Sequence, residues 1–200
     1  LKEQAIRSGV EIIYEKVIDV SLKGDIKTVT TQQAIYQAGK IILANGTTPR
    51  KLGIPGENEF NGKGTGLNAA KDGASYRGKN IYVIGGADGA VKEALFLSQY
   101  ASKLTIIHFE DTLGCISEFR KKIEQTPNIE VRTSSRLAAI YGTDQIEKID
   151  IISEKDGSIQ TIDDKGCGIF IYTGSTPNTE LYKELTLENG YILVNDKMET

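Results

Sequence analysis

Tryptophan is absent from this chain, histidine and methionine occur once each, as His108 and Met198, and cysteine occurs twice, as Cys115 and Cys167. Each scarcity removes a class of chemistry. The two cysteines stand far apart in no CxxC, and with a single histidine the sequence offers neither a zinc ligand set nor a CxxC redox pair. No metal ligand is therefore assigned, and both thiols read as small, reduced, apolar residues of the interior. A basic surplus is missing as well: 24 lysines and arginines against 27 acids leave no field for a polyanion, which excludes nucleic acid as a partner. No apolar run approaches the roughly 18 residues of a membrane span, and the polar start LKEQAIRSG lacks a signal-peptide core. The expected setting is cytoplasmic, with no membrane partner. The chain opens on Leu1 rather than on methionine, so the expectation is a piece of a longer protein.

Against these absences stands one informative stretch, Asn80 to Glu110, NIYVIGGADGAVKEALFLSQYASKLTIIHFE. Apolar and β-branched residues from Ile81 to Ile84 feed Gly85-Gly86-Ala87-Asp88-Gly89-Ala90, which opens a helix whose Val91, Ala94, Leu95, Ser98 and Ala101 share one face. A second apolar strand follows. That order is the layout of a dinucleotide-binding βαβ unit, with Gly85 to Ala90 as the candidate cofactor turn. In such a unit the first glycine makes the tight turn and the second lets backbone approach the pyrophosphate. The third position packs helix on strand, and the helix N-terminus supplies donors and positive potential. Ala87 stands at the second glycine.

The remainder reads as short elements. Leu1 to Ser8 is a helix end closed by Gly9, and Val10–Tyr14, Val17–Ser21, Ile26–Thr30 and Ala34–Gln37 read as strands of a small antiparallel layer. Lys40–Ala44 reads as a buried strand ending at Asn45-Gly46, and the proline- and glycine-rich segment after it marks a crossing between domains. Beyond the glycine unit, Ser117–Gln125 is helical until Pro127 halts it, and Asn128–Thr133 is a third parallel strand. Leu137–Tyr141, Gln145–Ser153, Ser158–Asp163 and Gly168–Thr173 follow as strands, with a turn at Asp156-Gly157 and a return crossing near Gly174 and Pro177.

This order resembles the thioredoxin-reductase-like branch of the flavin-dependent pyridine nucleotide-disulfide oxidoreductases, over the whole of Leu1 to Thr200. KIILANGTTPRKLGIPGENEFNGKG resembles the family's strand, ATG-type turn and LGIPGE crossover; VIGGADGAVKEALFLS resembles its IGGGNTAVEEALxLS; IYTGSTPNTELY and LENGYILV resemble its return crossing and the strand after it. The resemblance implies an α/β fold. A three-layer, Rossmann-like nicotinamide-type domain (51–172) is inserted between two incomplete pieces of an FAD-type domain (1–50 and 173–200). It also implies a homodimer that carries FAD, a nicotinamide nucleotide and a CxxC relay to a dithiol partner.

Several of the family's parts are altered here. Its CxxC falls on Asn68-Ala69-Ala70-Lys71, so no catalytic residue is assigned and the family's route to a thioredoxin disulfide is closed. Its HRRxxxR, which grips the 2′-phosphate of NADPH, falls on His108-Phe109-Glu110-Asp111-Thr112-Leu113-Gly114, where no arginine stands and two acids do. NADPH is therefore not expected. Two readings of the pocket stand open. Glu110 at the end of the second strand could accept the ribose 2′-OH of NADH. Alternatively the pocket has abandoned dinucleotides, with Asp88 capping its own helix and filling the N-terminus with its charge. On the flavin side, the ATG-like turn is Ala44-Asn45-Gly46, which leaves Asn45 and Gly46 as the remaining flavin-side candidates, and the chain alone is expected to hold little or no FAD.

Plain structural roles stand beside each of these. His108 at a strand end reads as a partly exposed surface residue, touching a ribose only if the resemblance holds. Asp88 and Glu110 read equally as a helix cap and a solvated charge. Arg120-Lys121-Lys122 after Glu118 reads as a solvated, charge-paired helix face, and Lys71 as a salt-bridging surface lysine. The functional expectation is an inactive fragment of an FAD-dependent oxidoreductase that is not a thioredoxin reductase. The alternatives are a ferredoxin- or NADH-linked flavoprotein reductase, with a nicotinamide nucleotide or a ferredoxin-like donor as partner, and a non-catalytic interaction domain on the same fold.

Overall fold

In the computed structural model, which describes residues 1–200, the chain divides into two compact units, Leu1–Thr48 with Ser175–Thr200, and Pro49–Gly174. The first unit begins with the short helix α1 (Lys2–Arg7), beyond which Gly9 takes a φ of +81°, the left-handed conformation that glycine adopts at a helix end. Strands β1 (Val17–Ser21), β2 (Lys27–Thr31) and β3 (Ile35–Ala38) then form an antiparallel sheet in the order β1-β2-β3, with Val20 opposite Val29 and Val29 opposite Tyr36. Two expected strands are not formed. Val10–Tyr14 and Lys40–Ala44 are irregular, and Ile42, expected inside, is 93% exposed. A run of apolar letters becomes a strand only when a neighbour supplies a ladder, and neither segment has one. The last element before the crossing is β4 (Thr47–Pro49).

The second unit is built around β-branched residues. After helix α2 (Ala69–Asp72) and a 3₁₀ turn at Gly73–Tyr76, strand β5 (Asn80–Ile84) leads into helix α3 (Asp88–Leu97), strand β6 (Lys103–Ile107), helix α4 (Ser117–Glu124) and strand β7 (Ile129–Arg132). Strands β8 (Ser135–Gly142), β9 (Ile146–Ser153) and β10 (Ile159–Asp163) form an antiparallel sheet, and β11 (Gly168–Ile171) returns to pair with β5. The parallel sheet runs β11-β5-β6-β7, with Val83 in register with Ile106 and Phe170. Alternation along β5 decides the layering. Ile81 and Val83 join Val91, Ala94 and Leu97 of α3 in one core, while Tyr82 and Ile84 join Leu137, Ile140, Ile149 and Ile151 of the antiparallel sheet in another. Each fully buried Ile, Leu or Phe contributes about 1.5–3 kcal/mol of transfer free energy, so this double-sided burial dominates the unit's stability.

Three short strands complete the first unit: β12 (Ser175–Pro177), paired with β4, and the hairpin β13 (Leu187–Glu188) and β14 (Tyr191–Ile192). Within this unit only Thr31, Pro177 and Tyr182 are buried, while Ile6, Tyr14 and Ile35 are more than half exposed. It has almost no core of its own. No helix in the chain is long and apolar enough to cross a membrane.

The polar expectations divide. Lys122 pairs with Glu118 at 2.6 Å as expected for a helix face, but Arg120 reaches back to the Leu113 carbonyl at 2.6 Å and is a loop clamp. Lys71 is exposed and joins no ion pair. Both cysteines are buried and free, and burial, helped by the nearby Asp164 charge, pushes the Cys167 thiol up to about 12.

Two outcomes follow. Gly85 has a φ of +131° and a Cβ there would run into the Tyr172 carbonyl oxygen, whereas a Cβ on Gly89 meets nothing within 4 Å. Gly85→Ala should lose more than ~2 kcal/mol in urea unfolding, and Gly89→Ala should gain about 0.5 kcal/mol from helix propensity. A thiol-disulfide reagent at pH 8 should find no fast-reacting sulfur in the native chain and two after denaturation, because both sulfurs are buried and the Cys167 thiol, at about 12, is almost wholly protonated there.

Candidate functional site

The carboxyl ends of β5, β6 and β11 converge on the glycine turn and enclose a largely apolar cleft of about 350 Å³ within the second unit. Gly85, Gly86, Ala87, His108, Phe109 and Arg136 are among its lining residues. Open α/β sheets place ligands at this end because the strand-to-helix turns leave backbone donors free there. Gly85 donates its N–H to the Ile107 carbonyl at 3.0 Å, which ties the turn to the end of the neighbouring strand. Gly86 lies under the ring of His108: a Cβ at that position would stand 2.5 Å from His108 Cγ. Glycine at position 86 is required by a side chain of the protein itself.

His108 is only 6% exposed, which corrects its reading as a surface residue. Contact with Gly86 on one side and with the β7–β8 turn on the other removes it from solvent: its N–H donates to the Arg132 carbonyl and its carbonyl accepts from Ser135 N–H, each at 2.9 Å. Its Nε2 lies 3.0 Å from Glu110 Oε2. A carboxylate only accepts, so Nε2 carries the hydrogen, and Nδ1, buried, has no partner in the protein. A buried polar atom without a partner costs about 1–3 kcal/mol. Glu110 itself is 54% exposed along its side chain and stands beside the cleft, committed in part to His108.

Asp88 does not cap its own helix. The N-cap of α3 is Ala87, which has no side chain to offer, and Asp88 Oδ1 instead accepts from Ile116 N–H, the residue that opens α4, at 2.8 Å. The α3 N-terminus is thus left without a side-chain acceptor. Its first turn still carries the Asp88 charge, and the Cβ of Ala87 occupies the turn where a glycine would leave room. Gly89 and Ala90 sit on the helix, Ala90 buried and Gly89 with open space around it.

The other sequence candidates lie elsewhere. Asn45 accepts a hydrogen bond from Tyr182 Oη on its side chain and from Asn178 Nδ2 on its carbonyl at 3.0 Å, while the Gly46 carbonyl accepts from Asn178 N–H at 3.1 Å. Through these bonds both residues join the two parts of the first unit. Asn68 and Asp72 make a reciprocal cap on α2: Asn68 Oδ1 accepts from Lys71 N–H at 3.1 Å and Asp72 Oδ2 from Asn68 N–H at 2.7 Å.

Two further lining residues were not among the candidate site residues read from the sequence. Phe109 stands edge-on to His108 with ring centroids 5.0 Å apart, and Arg136, the first outward residue of β8, places its guanidinium 4.4 Å from the Phe109 ring and pairs through Nε with Glu154. Strand alternation hinted at this, because Leu137 is buried and Arg136 must face the opposite way. Nothing local linked β8 to the glycine turn.

Residues 2–200 match the pyridine nucleotide-disulphide oxidoreductase family. The chain is 34% identical over 206 residues to a thioredoxin reductase of Peptoclostridium acidaminophilum, covering 100% of this chain and 65% of that protein. It is 36% identical to a thioredoxin reductase of Streptomyces clavuligerus, covering 97% of this chain and 61% of that protein. Among solved structures, Lactococcus lactis thioredoxin reductase superposes with a TM-score of 0.86 at 34% identity, over 98% of this chain and 65% of that one. The chain thus spans about two thirds or less of the length of these relatives. Sequence, parallel sheet and glycine turn agree, and the chain belongs to the pyridine nucleotide-disulphide oxidoreductase family, in its thioredoxin-reductase-like branch.

Proposed function

We propose that Pro49–Gly174 is the nicotinamide-nucleotide domain of an FAD-dependent oxidoreductase, that it takes NADH in preference to NADPH, and that it does not relay electrons through a dithiol. The observation that carries this reading is the uncapped N-terminus of α3, whose would-be occupant, Asp88, is bound to Ile116 N–H instead. Helix-start N–H groups and the helix dipole suit a pyrophosphate, and Gly85 and Gly86 give the close turn beneath it. When bound, the nucleotide would supply a hydride. The chain's own part is to hold it: backbone of the turn for the diphosphate, Glu110 for a ribose hydroxyl, and the apolar walls for exclusion of water.

NADH is favoured by charge. By the resemblance Glu110 stands at one of the family's arginine positions, with Asp111 beside it, and even at solvent-exposed positions a repulsion of about 1 kcal/mol each corresponds to roughly a fivefold loss. The Asn68–Asp72 cap supports the absence of a dithiol step, since an amide and an ammonium cannot take up two electrons and close a disulfide. The flanking unit, with its exposed Ile6, Tyr14 and Ile35, is proposed as part of an FAD-type lobe that further polypeptide of a longer, homodimeric protein covers. Flavin belongs to that whole protein. A second reading, an interaction domain that binds no nucleotide, is favoured by the Ala87 Cβ and the Asp88 charge at the turn.

Calorimetric titration of the chain separates these. NADH should bind in the micromolar to millimolar range and NADPH at least tenfold more weakly. NADPH binding as tightly as NADH overturns the preference, and silence with both nucleotides establishes the second reading. Asp88→Asn keeps an acceptor for Ile116 N–H and removes one negative charge beside the diphosphate, so it should tighten NADH by about threefold to tenfold.

A further inference from the structure

The cleft contains a single lysine or arginine among its lining residues, Arg136, and that cation is already engaged from two sides. Its guanidinium lies 4.4 Å from the Phe109 ring, and its Nε pairs with the carboxylate of Glu154. Glu154 is itself fixed. Its N–H donates to the Ser134 carbonyl at 2.8 Å, and Ser134, buried and held at a φ of +47°, donates its own N–H to the Glu110 carbonyl at 2.7 Å. A chain of short contacts therefore runs from the end of β6 through the β7–β8 turn to Glu154 and Arg136. The guanidinium is oriented before any ligand arrives.

Phe109 is 46% exposed and the Arg136 side chain 54%, and both line the cleft together with the glycine turn. A guanidinium plane and an aromatic ring are the two side-chain surfaces on which a neutral heteroaromatic stacks well. The charge balance indicates what Arg136 does not hold. Glu154 already pairs with it, so a phosphomonoester would meet a guanidinium whose charge is offset by a carboxylate. We propose that the Arg136–Phe109 pair is the adenine seat of this cleft and that Glu154 is a positioning residue that sets coenzyme preference by neutralising Arg136. The proposal rests on the dinucleotide reading above and adds to it the residues that choose between the two coenzymes.

The experiment uses the 200-residue chain, with binding of NADH, NADPH and AMP followed by calorimetry at low and high salt. Arg136→Ala should weaken NADH and AMP by about fivefold to tenfold. Arg136→Lys, which keeps charge and loses the plane, should not restore AMP binding. Glu154→Gln should free the cation and move the NADPH-to-NADH affinity ratio about tenfold toward NADPH, with the shift shrinking as salt rises. Unchanged NADH and AMP affinity in Arg136→Ala, full rescue by lysine, or an unmoved ratio in Glu154→Gln each overturns the proposal while leaving the dinucleotide reading intact. Failure of the unaltered chain to bind NADH removes both. Circular dichroism of each variant checks that these surface substitutions leave the fold in place.

Discussion

The contact of the His108 ring with the bare Cα of Gly86 is the constraint on which the candidate site depends. It joins the end of the first parallel strand to the end of the second at a distance that no side chain on residue 86 would allow. Interiors are packed to crystal-like density, so a methyl group there would have to displace the imidazole. The displacement would not stop at the ring. His108 holds Glu110 through Nε2, and its backbone is bonded on both sides to Arg132 and Ser135, so the floor of the cleft and the β7–β8 turn that carries Arg136 share one anchor. Glycine at this position serves internal architecture first and ligand access second.

Charge placement follows from where the acids are anchored. Asp88 lies in the first turn of α3, the place where a carboxylate is favoured by the helix dipole, yet its oxygen is directed to the amide that opens α4. One residue thereby stabilises the start of two helices: its charge suits the first and its hydrogen bond satisfies a donor of the second. Arg120 closes the same loop from the other side by donating to the Leu113 carbonyl. The segment between β6 and α4 is thus held by two side chains, one from α3 and one from α4.

The two units differ in how they are stabilised. In Pro49–Gly174 the parallel sheet is covered on both faces, and isoleucine, valine and leucine from every layer are fully buried. In Leu1–Thr48 with Ser175–Thr200, cohesion comes mainly from backbone ladders and a few polar links, such as Asn178 to Asn45 and Gly46 and Leu22 N–H to Glu184 at 2.9 Å. Net hydrogen-bond contributions of about 1 kcal/mol each do not replace a core. The contrast is physical support for reading the second unit as the self-sufficient part of the chain.

Where periodicity was strong the sequence was legible: Val17–Ser21, the βαβ unit from β5 to β6 and the three antiparallel strands β8 to β10 all form at or near their expected places, because alternation and 3.6-residue spacing are local properties of the chain. Lys40–Ala44 misled because apolar letters record a tendency to be buried and say nothing of whether a partner strand is present. Family membership was equally open to reading, since residue identity needs no coordinates. Only the tertiary structure decided that His108 is interior, that Asp88 serves α4 rather than α3, and that Arg136 and Phe109 meet at the cleft. Those facts depend on contacts between residues distant in sequence, or on which of two nearby donors an acid reaches, and neither is set by local spacing.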